Sequence, residues 1–555
     1  MSYLSLHVSD CRNCYKCIRH CPVKSINFSD GQANIMEDEC ILCGTCYIIC
    51  PQHAKTIRKD TDRVREWMKT HRVVASLAPS FIAKFPYTNR NTMYEALAKL
   101  GFSDVSETAE GATVIAAEYD ALLASGEQDV VISTCCHSAN LLVQKYFPHL
   151  LKYMAKRLSP MQTHAKMMKE KDPDAKVVFI GPCIAKKEEA EQYPDIVDTV
   201  LTFEELEEWM EEEDVSPVIL PDERLKGRAR LFPIPGGIIR SMKADQPGVS
   251  YMAIDGAEQC IKALRDLENG ALKNCFIEMS ICEGSCAGGP VMGEQRYSQV
   301  RNRVQVESFS GPEHWKIDSP VSNALYKTMN WIKVDQQTPD EEEIKRILAH
   351  IGKTKPEDEL NCGSCGYNTC RSKALAVYRG KADLSMCMPF LKEKAESFSN
   401  LVTKNTPNGI IVADEQLNIQ MMNPTARHWF SVAKEEDIRT MRLNQLTEVD
   451  EYIEAMLTGR VISGRKSFDS YGITAEQNVV YDENFRAVII ILRDITGAES
   501  ERSAREQLTQ QTLEITDQVI NKQMRIVQEI ASLLGETTAE TKIALSQLQE
   551  RLRDE

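Results

Sequence analysis

The sequence predicts a multidomain chain in which α/β and α+β units alternate with cysteine-rich modules. Three observations lead there. The chain has 555 residues, several times the ~100–150 of a common domain. Its 19 cysteines are clustered, with eight in residues 11–50 and four in 362–387, the usage of a reduced metal-binding protein rather than a disulfide scaffold. Between these clusters apolar runs alternate with amphipathic stretches, as in parallel strands joined by crossover helices. Five segments are expected: 1–58, 70–335, 340–395, 398–498 and 499–555. No apolar run approaches the ~18 residues of a membrane span. The start, MSYLSLHVSD, does not read as a secretion signal, so a cytoplasmic protein with no membrane association is expected. A net charge of −15 without a basic block speaks against nucleic-acid binding.

The head carries its chemistry in two matching runs. Cys11, Cys14, Cys17 and Cys21, then Pro22, give C-x2-C-x2-C-x3-C-P, and Cys40, Cys43, Cys46 and Cys50, then Pro51, repeat it. Three thiolates at this spacing wrap one cubane, and the fourth reaches the other cluster. Cys11, Cys14, Cys17 and Cys50 are therefore assigned to one 4Fe–4S cluster, and Cys40, Cys43, Cys46 and Cys21 to a second. Gly44 is expected to allow close backbone approach. Zinc is the competing reading of each C-x2-C, but eight cysteines in two such runs favour iron–sulfur. The segment resembles a bacterial 2x(4Fe–4S) ferredoxin, which implies electron transfer.

In 70–335, RVVASLAP, DVVIST, AKVVFIGPC and SPVIL read as strands. Three cysteine motifs are spread over the segment: Ser133-Thr134-Cys135-Cys136, Gly181-Pro182-Cys183-Ile184-Ala185-Lys186, and the stretch from Glu278 to Gly289 that holds Cys282 and Cys286. Two of them follow presumed parallel strands, where open α/β sheets place ligands. Cys136, Cys183, Cys282 and Cys286 could converge on a further cubane, with the last two on one face if their segment is helical. The glycines, Gly288 and Gly289 among them, suit a bulky ligand near the backbone. Cys260 and Cys275 fall in no motif and are expected to be ordinary buried residues.

These three motifs resemble those of the iron–iron hydrogenases, and an α/β H-cluster domain is the fold this implies. By the resemblance, Cys136, Cys183, Cys282 and Cys286 would bind the 4Fe–4S part of the H-cluster. Cys286 would also bridge to a two-iron subsite with CO, CN and dithiolate ligands, built by separate maturation proteins. Cys135 would pass protons to the dithiolate amine, and Lys186 would pair with a cyanide. Ala78, Pro79 and Ser80 match the family's first-strand loop, where Pro79 and Ser80 would contact the other cyanide.

The sequence also departs from the hydrogen-producing members. Methionines of the second and third motifs are replaced by Gly181 and Ser280, and the proline after the paired cysteines by His137. The site should therefore be more polar or roomier. On the helix ATVIAAEYDALL, Ala117 stands where an acid is expected and Asp120 at the second acid. Glu283 is a substitute relay candidate. These departures resemble the slow, sensory-type members.

The second cysteine unit, Cys362, Cys365, Cys370 and Cys387, resembles a small α-helical 4Fe–4S domain, preceded by a polar linker from Gln336. Zinc again competes. In 398–498, GIIVAD, IQMMN and AVIIILRDIT read as antiparallel strands around a short helical middle and resemble a PAS domain. His428 could be proposed as a haem ligand, but no cofactor is expected there. Leu513, Ile520, Val527 and Leu534 recur every seven residues with Ile530 beside them, the seam of a coiled coil or helix hairpin. Gly535 should end the first helix, and Thr537 with Glu540 should cap the second.

The expected function is a sensory-type iron–iron hydrogenase that exchanges electrons through three accessory 4Fe–4S clusters. Its partners would be H2, protons, ferredoxin or another carrier, and a downstream kinase or phosphatase, with the chain a homo-oligomer. The alternatives are a catalytic, ferredoxin-linked hydrogenase of fermentative metabolism, and an iron–sulfur scaffold lacking the two-iron unit.

Overall fold

The computed structural model describes all residues except Met1, Asp30, 86–87, Ile219, 221–226, 295–297, 318–324, 335–336, 433–437, Arg439, 535–537 and 554–555, together with the side chains of 531–541 and 553. The expected linker start at Gln336, the cap residues Gly535 and Thr537, and the Leu534 side chain lie outside the described residues. The chain forms two compact units, Met1–Phe390 and Leu391–Glu555.

The head has four short strands, β1 (Leu4–Leu6), β2 (Ile26–Ser29), β3 (Gln32–Ile35) and β4 (Lys55–Ile57). β1 pairs with β4 and β2 with β3, both antiparallel. Each cysteine run feeds a short helix, Lys16–His20 or Thr45–Ile48, entered through a left-handed residue, Tyr15 or Gly44. Gly44 is required by packing: a Cβ there would lie 2.5 Å from Pro290. The close approach expected of this glycine is thus to a loop of the next domain.

Seven strands follow: β5 (Val73–Leu77), β6 (Asp104–Glu107), β7 (Val130–Ile132), β8 (Lys176–Gly181), β9 (Thr199–Thr202), β10 (Ser250–Asp255) and β11 (Cys275–Ser280). They form two all-parallel sheets, ordered β6-β5-β8-β9 and β10-β11-β7. Every residue of β5 is buried, as expected of a parallel strand covered on both faces. Cys260 and Cys275 are buried in the core beside the second sheet. SPVIL is not a strand. Its described residues form a loop with Val218 exposed. Leu220 there is held by side chains, its carbonyl accepting from Asn89 and its amide donating to Thr92. Pro217 has no amide to offer a ladder. The fourth strand of that sheet is β9 instead.

The second cysteine unit contains the helices Glu341–His350 and Cys370–Tyr378. It shares an apolar cluster with the head, in which Ile18, Ile26 and Cys21 meet Tyr367, Ala376 and Met386. Phe28 N donates to the Lys381 carbonyl at 2.8 Å, and Lys381 pairs with Glu39. This unit is therefore part of the first compact body, whose limit falls inside the helix Met388–Asn405.

The second body carries β12 (Gly409–Asp414), β13 (Ile419–Met422), β14 (Ile462–Phe468), β15 (Ile473–Asp482) and β16 (Ala487–Asp494), an antiparallel sheet in the order β13-β12-β16-β15-β14. The helices Thr496–Leu534 and Thr538–Arg553 follow. Gln549 donates to Asp517 across them, so they pack as a hairpin. Leu513, Ile520 and Val527 are half-buried, while Leu508, Ile515, Val519, Ile526 and Ile530 are exposed.

Candidate active site

The loops after β5, β7, β8 and β11 meet at the C-terminal ends of both sheets, around a cavity of about 100 Å³. Strand direction explains the convergence, because parallel strands deliver all their outgoing loops to one edge. Cys136, Cys183, Cys282 and Cys286 line this cavity together, with Cys135, Lys186, Ala78, Pro79, Ser80, Pro182, Ser280 and Gly289. Cys286 is exposed to it although dense protein lies behind.

Cys282 and Cys286 do not share a helix face. A left-handed pair, Gly284 (φ 77°) and Ser285 (φ 56°), turns the chain into a short 3₁₀ turn, Ser285–Gly288. This reversal swings both thiols inward, at a cost to Ser285 that glycine would avoid. Gly288 is needed for this fold-back, since a Cβ would lie 1.9 Å from the Glu283 carbonyl, and it is not among the residues lining the cavity. Gly289 lies against the second motif, 2.6 Å from the Pro182 carbonyl by the same measure.

Burial pushes the Cys135 thiol up to about 12, against the Tyr119 hydrogen bond and the charges of Lys186 and Lys327. It pushes Cys183 up to about 11 and raises Cys282 and Cys286 strongly, with neighbouring thiols adding to each. Such thiols release protons when they bind metal. Lys186 Nζ donates to the Cys135 carbonyl at 3.0 Å and to Glu189. The other Glu189 oxygen accepts from the buried Lys327 at 2.9 Å. Burial alone would raise the Glu189 carboxyl, but Lys186, Lys327 and His137 outweigh it and hold it low. Two ammoniums facing one carboxylate leave a buried positive charge at the cavity wall, a demand for an anion. Ser80 Oγ and Ser285 Oγ are buried without a hydrogen-bond partner. Four thiols, two spare hydroxyls and a surplus cation fit an anionic iron–sulfur cofactor.

Several expected site residues lie elsewhere. Asp120 accepts from the amides of Lys243 and Ala244 and does not line the cavity. Glu283 is exposed on the outer side of its loop, and Gly181 is not in the wall. The side chain bonded to Cys135 is Tyr119, at 3.2 Å, whose hydroxyl also accepts from Thr134 N at 2.9 Å. It directly precedes Asp120, so the helix Ala109–Ser125 turns the tyrosine inward and the acid outward. Glu278 is buried on β11, accepts from Gly236 N and Ile239 N, and is among the charges acting on Cys135. Burial pushes its carboxyl up to about 7. The site is also not enlarged by Gly181. A Cβ there would lie 2.5 Å from the Phe179 ring, which lines the cavity. Sequence reasoning missed Tyr119, Phe179, Glu189 and Lys327. Phe179 had a signal, two residues before Gly181 on the same strand face, whereas Lys327 had none.

In the head, Cys21 acts on Cys40, Cys43 and Cys46, and Cys11 and Cys14 act on Cys17. Cys43 in turn adds to the charges on Cys282, so the Cys40–Cys46 run is the one that faces the central cavity. Cys362, Cys365, Cys370 and Cys387 line a separate cavity of about 20 Å³. Among the described residues no three His, Cys, Asp or Glu side chains close on a single-ion position.

Comparison with known proteins agrees with this division. Residues 71–290 match the family described as iron-only hydrogenase large subunit, C-terminal domain. Residues 4–51 match a 4Fe–4S dicluster domain, and 358–389 a putative Fe–S cluster domain. A curated relative, one of the subunits of the ion-translocating oxidoreductase complex of Methanosarcina acetivorans, is 40% identical over 48 residues, 9% of this chain and 18% of that protein. An iron–sulfur protein of Rhodospirillum rubrum is 40% identical over 53 residues, 9% of this chain and 28% of its own. The chain thus spans less than a third of the length of either relative. Among solved structures, an apo FeFe-hydrogenase from Chlamydomonas reinhardtii is 16% identical with a TM-score of 0.42, covering 50% of this chain and 100% of its own. The PAS domain of nitrogen regulation protein NR(II) from Vibrio parahaemolyticus is 20% identical with a TM-score of 0.16, covering 18% and 97%. The segment that matches the iron-only hydrogenase family is thus flanked on both sides by segments that match iron–sulfur families. Among the described residues no helix is long and apolar enough to cross a membrane.

Proposed function

We propose that the chain is an iron–iron hydrogenase of the slow, H2-sensing type. The observation that carries this is the one cavity shared by Cys136, Cys183, Cys282 and Cys286 and edged by Cys135 and Lys186. The four cysteines would hold the cubane of the H-cluster, and Cys286 would also bridge to the two-iron subsite. Bound there, the cofactor supplies reversible splitting of H2 into two protons and two electrons. The remaining work falls to the chain's own side chains. Cys135 Sγ, a thiol held in place by Tyr119, would relay the proton by handing on its own as it takes another. Glu278, a buried carboxyl pushed up to about 7 and among the charges acting on Cys135, is the acid we assign to the next step. Lys186, pinned by Glu189, and the hydroxyls of Ser80 and Ser285 offer donors to the cofactor's anionic ligands. Phe179, Met161 and Phe232 keep water from the wall.

Low turnover is supported by the outward positions of Asp120 and Glu283, which leave the expected acid relay broken. Electrons would pass to three accessory 4Fe–4S clusters, held by the two head sets and by Cys362, Cys365, Cys370 and Cys387. A ferredoxin-class carrier would exchange with them. The antiparallel domain at 398–498 would act as a PAS-type reporter in the cytoplasm. The exposed stripe of Leu508, Ile515, Val519, Ile526 and Ile530 would serve self-association or a kinase or phosphatase partner.

Infrared spectroscopy of the matured chain under H2, with turnover measured on the same sample, tests this. CO and CN bands with slow but measurable H2 oxidation are expected. No such bands after full maturation would remove the hydrogenase reading, and fast turnover would remove the sensory one.

A further inference from the structure

Lys24 sits where the head meets the second cysteine unit, and it belongs to no motif. Its three N–H donors are each used on a backbone carbonyl: Ile18 at 3.0 Å, Arg19 at 2.8 Å and Gly366 at 3.0 Å. An ammonium has three such donors and no more, so the charge is fixed in place by dipoles. The first two carbonyls belong to the head and the third to the loop between Cys365 and Cys370. That loop lies directly on the head: a Cβ on Gly366, at φ +92°, would come 3.0 Å from Ile18 and 3.3 Å from the Arg19 amide. The buried ring of Tyr367 joins the same apolar cluster as Cys21 and Cys46. The thiols that act most on Lys24 are Cys21 and then Cys365, whereas Cys17 feels Lys55, Cys14 and Cys11.

Cys21 belongs to the inner head set, with Cys40, Cys43 and Cys46. Cys21, Cys40 and Cys46 are buried. On its other side this set faces the central cavity through Cys43 and Gly44. Cys14, in the outer head set, and Cys362, in the third set, are exposed. The inner set therefore has one neighbour toward the central site and two toward the surface.

We propose that the inner head cluster is a three-way electron junction, and that Lys24 is the positioning residue that joins it to the cluster of Cys362, Cys365, Cys370 and Cys387. The inference rests on the cluster assignments proposed above. Each transfer oxidises one cluster by one electron and reduces the other by one, with no proton moved. A fixed cation beside two clusters favours their reduced, more negative states in a low-dielectric setting. It thus holds both potentials up together and keeps the step between the inner and third clusters near level, while the outer head cluster, away from the cation, remains the second neighbour of the inner one.

Redox titration of the full, cluster-loaded chain with mediators, read by electron paramagnetic resonance, tests this without H2. In Lys24→Met the midpoint potentials of the inner and third clusters should both fall while that of the outer head cluster stays. Lys24→Arg should keep the native values. In the unaltered chain the reduced inner cluster should show spin–spin interaction with the reduced third cluster, and Cys362→Ala should abolish it. Unchanged potentials in a cluster-loaded Lys24→Met chain, a fall at the outer cluster, or no inner–third interaction in the unaltered chain would each overturn the proposal. Missing CO and CN bands would instead defeat the hydrogenase reading and leave this result standing.

Discussion

Tyr119 and Glu278 show what single residues decide at the site. The Tyr119 hydroxyl is shared by the Cys135 thiol and the Thr134 amide. Tyr119→Phe leaves that buried amide without an acceptor, at a cost of about 1–3 kcal/mol, seen as a lower melting temperature. Because no cofactor ligand is touched, the infrared bands should persist while turnover drops roughly tenfold or more. Loss of the bands would mean that Tyr119 shapes the cluster site itself. Glu278 sets a pH dependence. Its folded pKa, about 7, stands above the ordinary 4.5, so the folded state holds the proton more tightly. The stability this contributes is full below pH ~4.5 and is lost as pH rises to about 7, roughly 3 kcal/mol in all. Glu278→Gln should flatten the melting temperature of the unit between pH 5 and 8. An unaltered slope would assign the pH dependence to another group.

At the scale of elements, β8 explains a departure that the sequence leaves open. Gly181 and Phe179 point to the same face of the strand, and the ring fills the space that a side chain at 181 would need. Gly181→Met alone should overpack this wall, costing about 1–3 kcal/mol. Gly181→Met with Phe179→Ala should recover most of that stability and shift the infrared frequencies of the matured site. A single variant as stable as the parent would show that the ring moves freely. The cysteine motifs are legible because metal chemistry fixes residue type and spacing, and β5, β7 and β8 because parallel strands read as apolar runs. β9 is short and partly polar, TVLT, and the more apolar SPVIL outcompetes it as a strand pattern. The two long strands β14 and β15 escape because ISGRKSF is mostly polar and the inward row of β15 runs through Ala475 and Gln477. The Cys282–Cys286 loop is ambiguous because a helical i, i+4 spacing and a left-handed reversal give the same sequence separation. Asp120 differs from the inward position by one residue of helical phase, about 100° on the wheel.

At the scale of the whole molecule, the decisive fact is that all 19 cysteines precede Phe390, where the first compact unit ends. The second unit has its own core, built around Ile411, Tyr452, Val479, Val488 and Ile490. Any stability that clusters provide therefore belongs to the first unit alone. Metal binding adds free energy only to the state that holds the ligands together. In the first unit the head, the central domain and the second cysteine unit share packed side chains, as in the cluster of Ile18, Cys21 and Tyr367. Losing one cluster should therefore lower the melting of the entire 1–390 body rather than of one module. Calorimetry of the full chain should show two transitions. Oxidative removal of the clusters should move the first to lower temperature and leave the second, carried by 391–555, in place. Cys362→Ala should also move the first, by less than complete removal. If both transitions shift together, the two units are coupled in folding. If Cys362→Ala moves neither, the third cysteine set contributes nothing to the body it is packed into.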